Sequence, residues 1–515
     1  MAPLSQTLKS FRNTKPKNQS SAMRILYLDL DTLRPDHLGC YGHNRDTSPN
    51  LDRIAREGVR FEKFCASDAP CLPSRSALMT GTFGIHNGVI GHDNCNADFR
   101  PQGSSRGFRS RLGHDALPAF LKHEAGLHTA YVGGFGERHS TFNYYAGFRE
   151  IHDTGMGGME SAADVTPAAL GWLDRNGASD NWYLHVNYWD PHTPYRAPAE
   201  FGNPFAGDPL PAWLTQDVIN RQARETVGPH GILDINMFDD RENPRFPRQP
   251  GKIQNMHDLR RCMDGYDCGI RHMDDHIGLL LAKLESLGVL GDLAIIVSSD
   301  HGENFGELGL WAEHGTADWA TCRIPMIIRW PGVKPGVDRG LHYNIDLLPT
   351  LADLLGKTPR KSWDGQSFAD SVRCGGDTGR DTLVLSQCCH GCQRSVRWGD
   401  WLHIRTYHDF FHLFPREMLF NLADDPHEQH DLADARPDLC AEAARRYLAW
   451  HDAMMATQPE GVFHDPLWQV LHTGGPCHAR GRLVEYCKRL EATGRGWAVP
   501  LLKKRHPGEW GSGIS

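Results

Sequence analysis

The sequence predicts an α/β protein with a large, mostly parallel sheet flanked by helices. Two observations carry that reading. Short apolar runs of strand length alternate with helix-patterned segments along the first two thirds of the chain, and several of those runs break into polar turns bearing Asp or His. Parallel neighbours need a crossover long enough to hold a helix, and the alternation supplies one each time.

The elements follow in order. Arg24-Ile25-Leu26-Tyr27-Leu28-Asp29-Leu30-Asp31 is a buried strand ended by the turn Thr32-Leu33-Arg34-Pro35-Asp36. Ser48-Pro49 opens a helix with Leu51, Ile54 and Ala55 on one face. Ala116–Leu121 reads as a helix, Thr129–Val132 and Trp182–Asn187 as strands. Tyr266–Leu287 is a long amphipathic helix stopped by Gly288, with the strand Leu293–Ser299 behind it. Residues 196–254 are rich in Pro, Gly and Asp without a period, which describes a lid or an insertion. Asn344–Leu351 starts another helix. A boundary falls near Arg373–Arg380, where Gly and Asp cluster. The expected organisation is a leader over 1–22, a main domain over 23–375, a small α+β domain over 376–455 and a tail over 456–515. The small domain has strands at Ser395–Trp398 and Trp401–Arg405 and a helix over Pro437–Ala453. In the tail Trp468, Trp497 and Trp510 sit among basic residues, suited to wrapping the body or building a homo-oligomer.

Composition narrows the function. Of 515 residues, 40% are hydrophobic and 23% charged, which is globular rather than disordered or fibrous. With 55 Lys and Arg against 63 Asp and Glu the formal charge is -8, which argues against a nucleic-acid partner held on a basic face. No run approaches the ~20 apolar residues of a membrane span. The leader has basic residues but no apolar core of a secretory signal. The 14 Cys are too sparse for a disulfide scaffold and read as reduced thiols in the cytoplasm.

Three polar clusters stand where apolar strands end: Asp29 with Asp31, Asp190 with His192, and Asp300 with His301. Ligands of open α/β sheets bind beyond the carboxyl ends of the strands, so the clusters can converge. Carboxylates with one imidazole suit Ca²⁺, Mg²⁺ or Mn²⁺, although each Asp also fits a turn or helix cap. Cys388-Cys389-His390-Gly391-Cys392 looks like half a zinc site, but no second cluster at zinc-site spacing follows, and it reads as a loop of reduced thiols between strands. The His-rich run His403–His412 reads as a strand and turn.

Cys71-Leu72-Pro73-Ser74-Arg75-Ser76-Ala77-Leu78-Met79-Thr80-Gly81 meets every position of Cys-x-Pro-Ser-Arg followed by Leu-x-Thr-Gly. It resembles the signature of the type I sulfatases of the alkaline phosphatase superfamily, near the arylsulfatase and phosphonate monoester hydrolase branch. Leu30–Arg34, Tyr188–Tyr195, Ser299–Glu303, Arg323–Arg329, Asp346–Thr350 and Leu419–Glu428 resemble further segments of that family in its order. The resemblance implies an alkaline phosphatase-like fold and hydrolysis of sulfate esters of small molecules or carbohydrates. It implies a nucleophile made by a maturase that oxidises Cys71 to formylglycine. It also implies a divalent metal, Ca²⁺ ahead of Mn²⁺ or Mg²⁺, held by Asp31, Asp300, His301 and an oxygen of modified Cys71. Arg75 would hold the formylglycine diol, Asp190 and His192 lie on the substrate side, and His192 or His314 protonates the leaving alcohol.

The chain departs from the family pattern in places. Thr32 replaces the second acid of the first metal segment, and Asp29 is an alternative source of that oxygen. Gly133-Gly134-Phe135-Gly136-Glu137-Arg138-His139 lacks the usual Lys, leaving Arg138 as the cation and His139 as the base. Glu313-His314-Gly315 has His314 where relatives often place Lys. His301 stands where many sulfatases have Asn and the phosphonate hydrolases have His, so phosphonate monoester or phosphodiester hydrolysis is the alternative reaction.

Overall fold

The structure, a computed structural model, describes residues 23–93, 96–100, 112–225, 227, 241–459 and 461–510. The expected leader over 1–22 lies outside them, as does the middle of the expected insertion.

In chain order the strands are β1 (Arg24–Leu30), β2 (Val59–Cys65), β3 (Asp68–Ala69), β4 (His128–Val132), β5 (Glu150–His152), β6 (Trp182–Tyr188), β7 (Leu293–Ser298), β8 (Asn304–Phe305), β9 (Trp311–Glu313), β10 (Arg323–Arg329), β11 (Gly336–Tyr343), β12 (Leu383–Gln387), β13 (Cys392–Trp398), β14 (Trp401–His408) and β15 (Glu417–Asn421). The main sheet runs β11-β2-β10-β7-β1-β6-β4-β5. All its pairings are parallel except those of β10, which is reversed between β2 and β7. The α/β expectation with a mixed, mostly parallel sheet is met.

Period two explains how β1 sits at the centre. Leu26, Leu28 and Leu30 point to one side and join a core with the helices Ala162–Asn176 and Met256–Ser286. Ile25 and Tyr27 point to the other and join a core with the helices Cys71–Thr80, Leu117–His123 and Leu347–Leu354. Both faces are covered, which is why the strand is apolar almost throughout.

The long helix begins at Met256, ten residues before its expected start. Asn255 caps it, its side chain accepting from the backbone N–H of His257 and Asp258. The charged first turns hide the pattern, yet Leu259, Cys262 and Met263 are buried at helical spacing. Among the described residues of 196–254 the longest helix is Gln216–Glu225.

The C-terminal part builds a second sheet, β15-β14-β13-β12-β3, antiparallel except for the last pair. Its edge strand β3 comes from the N-terminal half, with Asp68 opposite Ser386 and Ala69 opposite Gln387. The helix Pro437–Ala456 packs Leu439, Cys440 and Ala443 on Val384, Val396 and Leu419. The tail wraps the body: Leu483, Tyr486, Leu490 and Leu502 form a core with Leu310, Phe410 and Phe411. Trp468 and Trp497 stay half exposed. Among the described residues no helix is long and apolar enough to cross a membrane.

Candidate active site

The site forms at the carboxyl ends of β7, β1, β6 and β4, which lie side by side, so the loops after them meet. Asp31 follows β1, Asp300 and His301 follow β7, Asp190 and His192 follow β6, and Arg138 and His139 close the short helix after β4. Opposite stands Cys71, the first residue of a helix whose ten residues are all buried.

Ligand atoms of Asp31, Cys71, Asp300 and His301 lie within 4.8 Å of one another, all in buried side chains. His301 Nδ1–H donates to the Gly302 carbonyl at 2.8 Å, which leaves Nε2 as the acceptor, 3.1 Å from Cys71 Sγ. Thr32 takes no acidic role. At φ 59° its backbone N–H donates to Asp300 at 3.0 Å and its hydroxyl to Asp31 at 2.7 Å, fixing the two carboxylates relative to each other.

Arg75 is fully buried and shared by three carboxylates. Its Nε and NH2 groups donate to the two oxygens of Asp29 at 2.9 and 3.0 Å, and its NH1 donates to Asp31 at 2.8 Å and to Asp300. Asp29 also faces His185 Nε2 at 3.1 Å. Both its oxygens are therefore engaged, Oδ1 by Arg75 and Oδ2 by Arg75 and His185. Three carboxylates against one guanidinium leave a buried acidic surplus, which a divalent cation fits. Burial pushes Asp300 up to about 8, with Asp31 and Asp29 adding to the rise and Arg75 opposing it. Burial, with Asp31 and Asp300, pushes the Cys71 thiol well above its ordinary range, so the unmodified side chain stays protonated and a poor nucleophile.

Above this acidic floor a cavity of about 590 Å³ is walled by imidazoles and Arg138, with Cys71 at its base. His314 Nδ1 faces Glu303 at 3.1 Å, and its ring centre lies 4.3 Å from that of His301. Burial opposes its charge, but Glu303 and Glu313 push it up to about 9. His192 donates from Nδ1 to the Thr193 carbonyl, which turns its other nitrogen into an acceptor. Burial, with Arg138 and Arg75, holds His139 at about 3, and its Nε2 is buried without a hydrogen-bond partner among the described residues. Arg138 stacks over Trp189 at 5.2 Å. Asp190 does not line the cavity: its Oδ1 faces His272 Nδ1 on the long helix at 2.7 Å. The expected substrate contact from Asp190 is replaced by a role in holding the β6 loop.

A family model described as Sulfatase matches residues 24–357. The chain belongs to the sulfatase family. It is 24% identical over 457 residues to an arylsulfatase of Clostridium perfringens, covering 80% of this chain and 90% of that one. A structure described as in complex with its substrate D-glucosamine-2-N,6-O-disulfate superposes with TM-score 0.67 at 20% identity, covering 86% of this chain and all of that one. The phosphonate monoester hydrolase of Agrobacterium radiobacter superposes with TM-score 0.65 at 19% identity, covering 84% and 96%. This sulfatase is thus a sulfuric ester hydrolase with an alkaline phosphatase-like fold.

Sequence reasoning missed three histidines of the cavity wall. His92 lies in a loop without pattern, His390 in the Cys-rich loop read as structural, and His478 in the tail. Only His390 carried a local signal, the thiols around it. The other two become visible when the tail folds back over the body.

Proposed function

We propose that this sulfatase hydrolyses sulfate esters of small molecules or carbohydrates through a formylglycine made from Cys71 by a maturase. One observation carries the reading: Cys71 stands between the Asp31, Asp300 and His301 ligand set and a cavity lined by cationic and imidazole side chains. Asp31, Asp300, His301 and the oxygen of the modified residue would hold a divalent metal, which supplies Lewis acidity and charge neutralisation at the nucleophile. Calcium follows from the family resemblance. The donor set, two carboxylates and an imidazole with Thr32 in place of a further acid, favours Mn²⁺. A hydrated aldehyde offers one hydroxyl for attack on sulfur and a second whose deprotonation expels the sulfate.

The chain's own residues supply the rest. Arg75 keeps Asp31 ionised and holds Asp31 and Asp300 in register. Arg138 meets sulfuryl oxygens as charge develops on them. His314, held by Glu303, is the proton donor to the leaving alcohol, because His192 presents an acceptor to the cavity. His139, neutral and unpartnered at Nε2, is the base for the second hydroxyl.

His301, 3.1 Å from Cys71, sustains the second reading, phosphonate monoester or phosphodiester hydrolysis on the same site. Turnover of an aryl sulfate and an aryl phosphonate by one preparation decides between them. A kcat/KM higher by orders of magnitude for the phosphonate overturns the sulfate assignment.

A further inference from the structure

The Cys-rich loop gains in three dimensions what the sequence lacked, a second half. The tail brings Cys477 and His478 onto it across 88 residues: Cys477 Sγ lies 3.4 Å from Cys389 Sγ, and the His478 backbone N–H donates to the Cys389 carbonyl at 3.2 Å. His92 arrives from a third segment, its Nδ1 3.3 Å from His478 Nε2. Ligand atoms of His92, Cys389 and His478 all lie within 4.8 Å of one another. Arg480 and Asp93, 3.7 Å apart, tie the same two segments beside them.

We propose that Cys389, Cys477, His92 and His478 form a second metal site, structural and selective for Zn²⁺, at the wall of the active-site cavity. Two thiolates and two imidazoles are a donor set that zinc takes in tetrahedral geometry. Zinc bonds of about 2.3 Å to sulfur and about 2.0–2.1 Å to nitrogen place tetrahedral nitrogens ~3.3 Å apart and sulfurs ~3.8 Å apart. The imidazole pair already stands at 3.3 Å; Cys477, 3.4 Å from Cys389 but outside the group of three ligand atoms that lie within 4.8 Å of one another, turns its sulfur toward the two rings on binding. That sulfur separation is far beyond a disulfide bond of about 2.0 Å. His390 is not a ligand: its Nε2 faces Glu313 at 3.3 Å while its ring stacks on His478 at 4.2 Å. On binding, the two thiols release their protons to solvent and both ligand nitrogens donate a lone pair.

The site couples to the reaction centre through His92. A ring nitrogen of His92 lies within 4.8 Å of Cys71 Sγ and of a ring nitrogen of His139, and its Nε2 is buried without a hydrogen-bond partner among the described residues. Metal on Nδ1 places the remaining ring proton on Nε2, making His92 a fixed donor toward the cavity.

The test uses the full-length Cys71→Ala protein, which lacks the catalytic thiol, reduced and stripped with a chelator, then titrated with Co²⁺ alone. A site with two thiolates gives an intense near-ultraviolet thiolate-to-cobalt band together with four-coordinate visible bands, whereas cobalt on Asp31, Asp300 and His301 gives no thiolate band. The band is expected to weaken in Cys389→Ser and in Cys477→Ser, to vanish in the double variant, and to be bleached by added Zn²⁺. His478→Gln is expected to shift the visible bands while keeping both sulfurs. Absence of the thiolate band in Cys71→Ala protein that melts cooperatively overturns the proposal. So does recovery, from protein isolated without reductant, of peptides joined by a disulfide between Cys389 and Cys477.

Discussion

Asp29→Asn separates two roles that one carboxylate can play beside Asp31. In the structure Asp29 makes a two-point contact with Arg75, and Arg75 keeps Asp31 and Asp300 as further partners. A guanidinium and a carboxylate about 4 Å apart at an effective dielectric of about 20 attract by roughly 4 kcal/mol. Asn retains one acceptor but turns an amide toward a guanidinium N–H, so the net loss is about 3 kcal/mol, at the low end of what breaking a buried pair costs. Stability is read as the urea midpoint multiplied by its slope, against wild type and beside Asp31→Asn. Metal content is read by elemental analysis of the same samples. Asp29→Asn is expected to lose that stability and keep its metal, while Asp31→Asn loses metal. An Asp29→Asn protein that is as stable as wild type but has shed its metal would refute the argument and restore Asp29 as a ligand.

Other outcomes follow from the same geometry. Cys71→Ala is expected to lower turnover of an aryl sulfate by ~10⁴-fold or more, with its circular dichroism spectrum unchanged. His314→Asn should cost about 10²–10⁴-fold on esters of poor leaving groups and far less on activated aryl esters; an equal loss across a leaving-group series would remove His314 as the acid. His506 in the tail is pushed up to about 9, burial being outweighed by Asp409 and Glu509, against about 6.5 when unfolded. A raised value means that this contribution to tail docking is complete below pH ~6.5 and is lost as pH rises through about 9. Proteolysis of the tail should therefore accelerate from pH 7 to 9.5 in wild type and less so in His506→Gln. Truncation after Gln458 uncovers Leu310, Phe410 and Phe411, so light scattering should show association of the shortened chain. An unchanged mass would contradict the wrapped tail.

Much of the fold was legible because β1, β6 and β7 are buried on both faces, and burial of that kind writes continuous apolar runs into the sequence. Asp31, Asp300, His301 and Cys71 were legible because each sits at the end of such a run or in a dense motif. The start of the long helix was not, since Arg260 and Arg261 interrupt the apolar pattern with charges that find partners only in the folded protein, Asp208 and Glu242 among them. Asp190 misled for a related reason. Its neighbour in the sequence, His192, reaches the cavity, but Asp190 is turned to His272, a partner 82 residues away that no local pattern announces. His92, His390 and His478 belong to three separate segments, and their meeting depends on where the tail docks.

The strand β3 gives the site a history as well as a position. Asp68 and Ala69, two residues before Cys71, are hydrogen-bonded into the sheet completed by residues 383–387, and Cys71 opens a helix with no exposed residue. On the proposed formylglycine reading, a maturase gripping the peptide around Cys71 would find it free only while the chain beyond Leu383 has yet to dock. Chain order thus sets a clock. More than three hundred residues of synthesis separate emergence of the motif from its enclosure, and any mutation that hastens closure of the second sheet shortens the interval in which the enzyme can be armed.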